Sequence, residues 1–367
     1  MMTNQATKQP NIIFLLTDDQ RWDAMGCAGN PVIQTPHLDH LARDGMRFTN
    51  AFATTPICAA SRASIFTGLY ERTHQFTFCT PPLADAYVDF SYPVRLRAAG
   101  YRTGFVGKFG INVQAGARER MFDYFDPVTR TPYFKPQPDG SERHATDIEG
   151  EKAIAFLDTV QPDAPFCLSV SFNAPHAEDR DPKQYYWQHE LDDLYGDDVI
   201  TPPATMTDEF FERQPAFLKT SESRRRFNWR FDTPEQYQAM VKGYFRMISG
   251  VDLVVGRIRQ ALADRGLADN TIIIYTSDNG YFLGDRGFAD KWYLYEPSLR
   301  IPLLVYDPRH TADMGGRVCG ATALNVDMGP TLLELAGVEV PNPMQGVSLM
   351  PLLRGDPPAD WRTDFVA

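Results

Sequence analysis

No stretch of this sequence is apolar for long enough to cross a bilayer, and none of its five cysteines forms a Cys-x-x-Cys pair. A membrane-spanning helix needs about 20 consecutive apolar residues, so no membrane partner is expected. Cys27, Cys58, Cys79, Cys167 and Cys319 are odd in number and widely spaced, which argues against both a zinc cluster and a disulfide scaffold. Cys27 and Cys167 read as small apolar residues. A basic excess is also missing: 36 Lys and Arg stand against 47 Asp and Glu, for a net charge of -11. Nucleic-acid surfaces advertise themselves by the opposite balance, so no nucleic-acid partner is expected either. The opening residues Met1 to Pro10 are polar and lack the apolar core of a signal peptide. The chain as given therefore reads as cytoplasmic, or as periplasmic or secreted if a leader was removed. Repeats and low-complexity tracts are absent, and the sequence does not define an oligomeric state.

What is present is a large core. With 43% hydrophobic and 12% aromatic residues, the chain fits one big α/β domain, or one plus a small lobe. Asn11–Thr17 is a short apolar run, too short for a helix and partly β-branched, and predicts a fully buried strand. Phe48 to Phe52, Thr103 to Val106, Phe166 to Phe172, Thr271 to Thr276 and Ile301 to Tyr306 read as further strands. Helices are expected over His37 to Asp44, Ser61 to Phe66, Tyr92 to Ala99, Asp147 to Val160, most of Glu235 to Arg265, and Asp327 to Ala336. Residues 179–232 show no clear period and read as an insertion or substrate-facing cap. Trp361 to Ala367 looks like the start of a strand, as if a small C-terminal subdomain were only begun.

Strands alternating with helices describe an open, mostly parallel sheet, which binds ligands beyond the carboxyl ends of its strands. Three polar clusters fall at that kind of position: Asp18-Asp19, Asn173 to His176, and Ser277-Asp278-Asn279-Gly280. Each alone could be a turn or cap; together they suggest a site. Asp18, Asp19, Asp278 and Asn279 offer hard oxygen donors, a set that selects Ca²⁺, or Mg²⁺, over zinc. An acidic chain that handles an anion needs a local group of cations, and Arg62, Lys108, Lys291 and His176 are the candidates. Either lysine alone would read as an ordinary surface residue. Cys58 stands just before a helical Ala-Ala-Ser-Arg stretch, and so near a helix N-terminus, where anions bind. A free thiol there could itself be a nucleophile.

Cys58-Ala59-Ala60-Ser61-Arg62, continuing to Thr67-Gly68, resembles the signature of the type I (formylglycine-dependent) sulfatases of the alkaline phosphatase-like superfamily. That signature is Cys-x-Pro/Ala-x-Arg followed by Thr-Gly. Thr17-Asp18-Asp19-Gln20-Arg21, Thr35-Pro36-His37-Leu38-Asp39 and Gly45-Met46-Arg47-Phe48 resemble the family's N-terminal block. Later blocks resemble Ser277 to Gly280, Lys291 to Glu296, and Gln345 to Leu349 with Leu352 to Gly355. The resemblance runs in order over nearly the whole chain. It implies a sulfatase catalytic domain over residues 8–367, with a large, mostly parallel sheet flanked by helices and a small C-terminal subdomain.

It further implies that a formylglycine-generating enzyme oxidises Cys58 to an aldehyde. One hydroxyl of the hydrated aldehyde attacks sulfur, and the second lets the intermediate collapse and release sulfate. By matching position, Asp18, Asp19, Asp278, Asn279 and the modified Cys58 would hold Ca²⁺. Arg62 would steady the hydrate, Lys108 and Lys291 would bind sulfate oxygens, and His176 would face the ester oxygen. The implied substrate is a sulfated small molecule or saccharide. One departure stands out: many members read Gly-Lys-x-His where this chain has Gly107-Lys108-Phe109-Gly110. That histidine is commonly assigned to the collapse of the intermediate, and His74 is a candidate substitute. A phosphonate or phosphate diester hydrolase, and a catalytically impaired protein that binds sulfated ligands, are the alternatives. A zinc phosphatase fits less well, since it would use a Ser or Thr nucleophile and more His ligands.

Overall fold

The computed structural model describes residues 9–78, 80–161 and 164–367, so Cys79 lies outside the described residues. Eight strands form the central sheet: β1 (Asn11–Thr17), β2 (Met46–Phe48), β3 (Arg102–Gly107), β4 (Tyr124–Pro127), β5 (Phe166–Ser171), β6 (Thr271–Ser277), β7 (Leu303–Tyr306) and β8 (Arg317–Cys319). Their spatial order is β8-β2-β7-β6-β1-β5-β3-β4. All neighbours run parallel except β7, which is antiparallel to both β2 and β6. The α/β class and the mostly parallel sheet expected from the sequence are thus present.

The central strand β1 is buried along its whole length, and its two faces feed two cores. Ile13 and Leu15 join Leu168, Val170 and Ile273 on one face. Ile12, Phe14 and Leu16 join Cys167, Ile272 and Ile274 on the other. Full burial of such a side chain contributes about 1.5–3 kcal/mol, which is why these runs pair centrally rather than at an edge. Helices α1 (Pro36–Asp44), α2 (Cys58–Thr67), α3 (Ala145–Leu157), α4 (Glu222–Arg230), α5 (Pro234–Asp264) and α6 (Met328–Leu335) include those that cover the sheet. Helix α5 begins with Thr233, whose side chain accepts from the Gln236 amide, and with Pro234 at its first position. Helix α2 ends at Gly68 (φ 66°), whose N–H reaches the Ser64 carbonyl in a left-handed cap.

Register places the site. Thr17 pairs with Ser277, while Leu16 and Gly107 both pair with Ser171. The carboxyl ends of β1, β3, β5 and β6 are therefore level, and the residues that follow them emerge along one edge.

Three expectations change. The strand over Phe48 to Phe52 is two pieces, β2 and a short Ala51–Phe52 strand paired with Ala323–Leu324. Residues 179–232 are not irregular throughout: they hold helices Asp208–Glu212, Ala216–Lys219 and α4. Residues 361–367 form no strand. Instead, Trp361 donates its indole N–H to the Thr322 carbonyl (2.9 Å), and Arg362 pairs with Asp327 (2.7 Å). Among the described residues, no helix is long and apolar enough to cross a membrane.

A candidate active site at the strand ends

Cys58 is the first residue of α2, and Arg62 follows one turn later on the same face. Arg62 is buried and holds three elements together. Its Nε donates to Asp278 Oδ2 (2.8 Å), and its Nη1 donates to the Lys108 carbonyl (2.6 Å) and to Ser171 Oγ. Lys108 lies just past β3 because of Gly107 (φ 95°): a Cβ there would collide with the Ser171 carbonyl, to which the Lys108 amide donates (2.8 Å). The Lys108 ammonium pairs with Asp18. Lys291 is buried and bonds both oxygens of Asp19, at 2.5 and 2.6 Å. His176 Nε2 is 3.5 Å from Asp19 Oδ2. All nine candidate residues, Asp18, Asp19, Cys58, Arg62, Lys108, His176, Asp278, Asn279 and Lys291, thus converge on one site.

Backbone strain gathers at the same place. Asp19, Asp290 and Trp292 all have left-handed φ, at 73°, 77° and 83°, and two of them flank Lys291. The Trp292 amide donates to the Pro56 carbonyl (3.2 Å), which ties the Lys291 loop to the turn carrying Cys58.

The donor set fits a hard cation. One oxygen of each of Asp18 and Asp278 and the Cys58 sulfur lie within 4.8 Å of one another. Asn279 gives its amide N–H to Asp19 (2.7 Å) and leaves Oδ1 without a partner; Asp18 Oδ1 is a second buried orphan. Burial and neighbouring carboxylates push Asp19 up to about 7 against the pull of Lys291. Burial and Asp18 likewise lift Asp278 to about 6, against Arg62. Asp18 is held well below the usual carboxylate range: burial opposes this, but Lys108, His176 and Arg62 prevail. A divalent cation would relieve the crowding and engage the orphaned oxygens. The Cys58 thiol is raised by burial against the attraction of Lys108 and Lys291, which makes it a poor thiolate nucleophile.

His74 does not belong to this site. Its Nε2 meets Ser64 Oγ (3.0 Å) and its Nδ1 accepts from the Phe76 amide (3.1 Å), so both ring nitrogens are occupied within the α2 packing. Burial pushes it down to about 4. It supports the fold and does not replace the histidine missing at Gly110. The space beside Gly110 (φ 73°) is taken instead by Arg62: a Cβ there would lie 2.6 Å from Arg62 Cδ.

Sequence reasoning missed the residues that hold this centre. The Arg130 guanidinium lies against His176 Nδ1, which is also 2.8 Å from the Ala177 carbonyl. Arg230 is fully buried and bonds Asp290 Oδ2 (3.0 Å), Asp179 Oδ1 (2.7 Å), Tyr281 (2.8 Å) and Gln184 (2.7 Å). Arg226, one turn earlier on α4, pairs with the same two aspartates. The Arg226/Arg230 spacing was the available signal: two arginines on one helical face within a segment of no apparent period. Glu149 on α3 accepts from the backbone amide (3.2 Å) and Nδ2 (2.6 Å) of Asn173, at the start of the loop that carries His176.

The sulfatase family profile matches residues 10–338, so the chain belongs to the sulfatase family, hydrolases of sulfuric esters. It is 30% identical to an N-acetylglucosamine-6-O-sulfatase of Bacteroides thetaiotaomicron, over 98% of this chain and 74% of that protein. To the human N-acetylglucosamine-6-sulfatase it is 29% identical, over 98% of this chain and 67% of the relative. A protein solved in complex with its substrate D-glucosamine-2-N,6-O-disulfate superposes with a TM-score of 0.79 at 29% identity, covering 97% of this chain and 82% of that one. The phosphonate monoester hydrolase of Agrobacterium radiobacter shares the fold, with a TM-score of 0.74 at 24% identity over 96% of this chain and 79% of its own.

Proposed function

We propose that the chain hydrolyses a sulfate ester on a carbohydrate, with a 6-O-sulfated hexosamine as the first substrate to test. In this reading Cys58 is converted to formylglycine, whose hydrate supplies the oxygen nucleophile. Asp18, Asp19, Asp278, Asn279 and residue 58 hold Ca²⁺, which would neutralise sulfate oxygens. The observation that carries the reading is the placement of Cys58: at the first turn of α2, within 4.8 Å of Asp18 and Asp278 oxygens, and ringed by three cations. The names of the two N-acetylglucosamine-6-sulfatases support the choice of sugar.

Each side chain has a task that its position suits. Lys108 and Lys291 are held protonated by Asp18 and Asp19, despite burial, and offer fixed positive charge to the non-bridging oxygens. Arg62 keeps Asp278 and the Lys108 turn in register with Cys58. As the bond from sulfur to the sugar oxygen breaks, the departing alkoxide takes up a proton. We assign His176, across Asp19 from Lys291, to the leaving-group side.

The test is expression with a formylglycine-generating enzyme. Mass spectrometry of the peptide containing Cys58 and turnover of N-acetylglucosamine 6-sulfate, an aryl sulfate and a phenyl phosphonate monoester should follow. Conversion of Cys58 with preferential sulfate release is the expected result. Unconverted cysteine together with no hydrolysis, or a preference for the phosphonate, would overturn the assignment.

A further inference from the structure

Beside the site lies a cleft of about 680 Å³ walled by four arginines and four carboxylates. One of the arginines touches a group assigned to sulfate chemistry, and a second touches the neighbours of another. Arg130 lies against His176, and Arg226 pairs with Asp290, the neighbour of Lys291, while its guanidinium sits 4.9 Å from the centre of the Trp292 ring. Whatever portion of a substrate extends past the sulfate ester on this side meets the cleft.

Most of the charges there are already paired, although Arg130 keeps a buried Nε without a hydrogen-bond partner. Arg226 meets Asp179 (2.8 Å) and Glu222 (2.9 Å) as well as Asp290. Arg225 meets Glu222 at 2.5 Å, and Arg130 lies 3.9 Å from Asp179. Among the described residues only Arg180, of the four, has no ion-pair partner, and it stands between Asp179 and Asp181 in sequence. A second sulfate or a carboxylate would have to break an existing pair or settle beside carboxylates of like charge. At the sulfate site Lys108, Lys291 and Arg62 are paired as well, with Asp18, Asp19 and Asp278, but there the proposed cation would draw on those carboxylates and leave the three cations free to face an anion.

Hydroxyl groups meet no such opposition. They donate to the carboxylates of the cleft and accept from its guanidinium groups without disturbing the balance. Trp229, 40% exposed in the wall with the Arg225 guanidinium 5.1 Å from its ring centre, adds apolar ring surface for the carbon side of a sugar ring.

We propose that this cleft receives an uncharged, hydroxyl-bearing sugar ring, so that the enzyme favours saccharides without a second anionic group on that side. The inference rests on the carbohydrate sulfatase reading above. It also sets this chain apart from the structural neighbour whose substrate carries two sulfates.

The experiment compares kcat/KM of the matured enzyme on N-acetylglucosamine 6-sulfate, D-glucosamine-2-N,6-O-disulfate and 4-nitrophenyl sulfate. We expect the monosulfate to exceed the disulfate by about tenfold or more. Trp229→Ala should lower the ratio of kcat/KM for the sugar monosulfate over the aryl sulfate by about tenfold, with Trp229→Phe retaining most of it. Because each variant serves as its own reference through the ratio, partial loss of folded enzyme does not imitate the effect. Preference for the disulfate, or a ratio that Trp229→Ala leaves in place, overturns the inference while the sulfatase reading stands. Hydrolysis of the aryl sulfate without the sugar sulfate overturns it too. If no sulfate is released from any probe, the sulfatase reading fails and this inference falls with it.

Discussion

Glu149 offers a test of how the His176 loop is held, because its charge is in the wrong place for a carboxylate. Its side chain is fully buried, with Oε1 accepting two bonds from Asn173 and Oε2 without any partner. Burial, resisted by the Asn173 hydrogen bonds, pushes its pKa from the ordinary 4.5 to about 8. Between those values the native protein holds a proton that the unfolded chain has released. Stability is therefore lost as pH rises through that window, by about 1.4 kcal/mol per pH unit. From about pH 6 to about pH 8 the loss is roughly 2–3 kcal/mol, the slope flattening near the upper end. Glu149→Gln keeps an acceptor for Asn173, matches the shape of the neutral acid, and removes the titration. Urea denaturation of the two proteins across this range should show the variant gaining roughly 2–3 kcal/mol on the wild type as pH rises. Parallel pH profiles would refute the reasoning, since they would mean that Glu149 is ionised in the native state at the lower pH. Glu149→Ala, which removes the acceptor as well, should lower kcat where Glu149→Gln preserves it.

Other substitutions probe the supports of the site. Arg230→Met should destabilise by about 3–5 kcal/mol in chemical denaturation, because it takes from buried Asp290 and half-buried Asp179 one of the two arginines they share; an unchanged midpoint would show that Arg226 alone suffices. Gly110→His, which restores the common family residue, should reduce kcat by about tenfold or more, since its Cβ would crowd Arg62 and its backbone would keep a left-handed φ. Higher activity in steady-state assays would contradict this. Chelation with EGTA should lower the melting temperature as well as activity, with Ca²⁺ at about 100 times its Kd restoring roughly 2.7 kcal/mol. Equal melting curves with and without chelator would count against the metal assignment.

The strands were legible because burial on both faces leaves a plain mark: Asn11–Thr17 and Thr271–Ser277 are apolar runs too short to be helices. A helix start was legible where a proline marks it, as at Thr35-Pro36 before α1. Pairing was not legible. Nothing local to Leu303–Tyr306 says that it runs antiparallel between β2 and β6, because direction is decided by the connections. The short helices of residues 208–230 escaped because their apolar residues face different neighbours, so no single period spans them. The place of His74 was not legible because its position after α2 in sequence says little about which side of the helix it packs against; it lies with Ser64, six residues on from Cys58.

Gly110 is where the sequence comparison and the structure say different things. In sequence it is a missing histidine, and so an argument for weak release of sulfate. In the structure the glycine is required by its neighbours. Its φ of 73° suits glycine, and the space that a side chain would enter is filled by Arg62, which is fixed by Asp278, the Lys108 carbonyl and Ser171. Moving Arg62 to admit a larger residue would loosen Asp278 and Lys108 together. The glycine and the placement of Arg62 are therefore one feature, and a histidine inserted alone would remove more of the site than it restores. Arg62 stands one helical turn from Cys58 with its Nη2 buried and unpartnered, so it keeps a free hydrogen-bond donor. An arginine cannot take a proton at neutral pH, but it can hold an oxygen anion. On the proposed mechanism, the base for sulfate release would then come from elsewhere among the groups that ring residue 58. Those groups also face the anion, so on that mechanism the collapse step and anion binding would share the same charges.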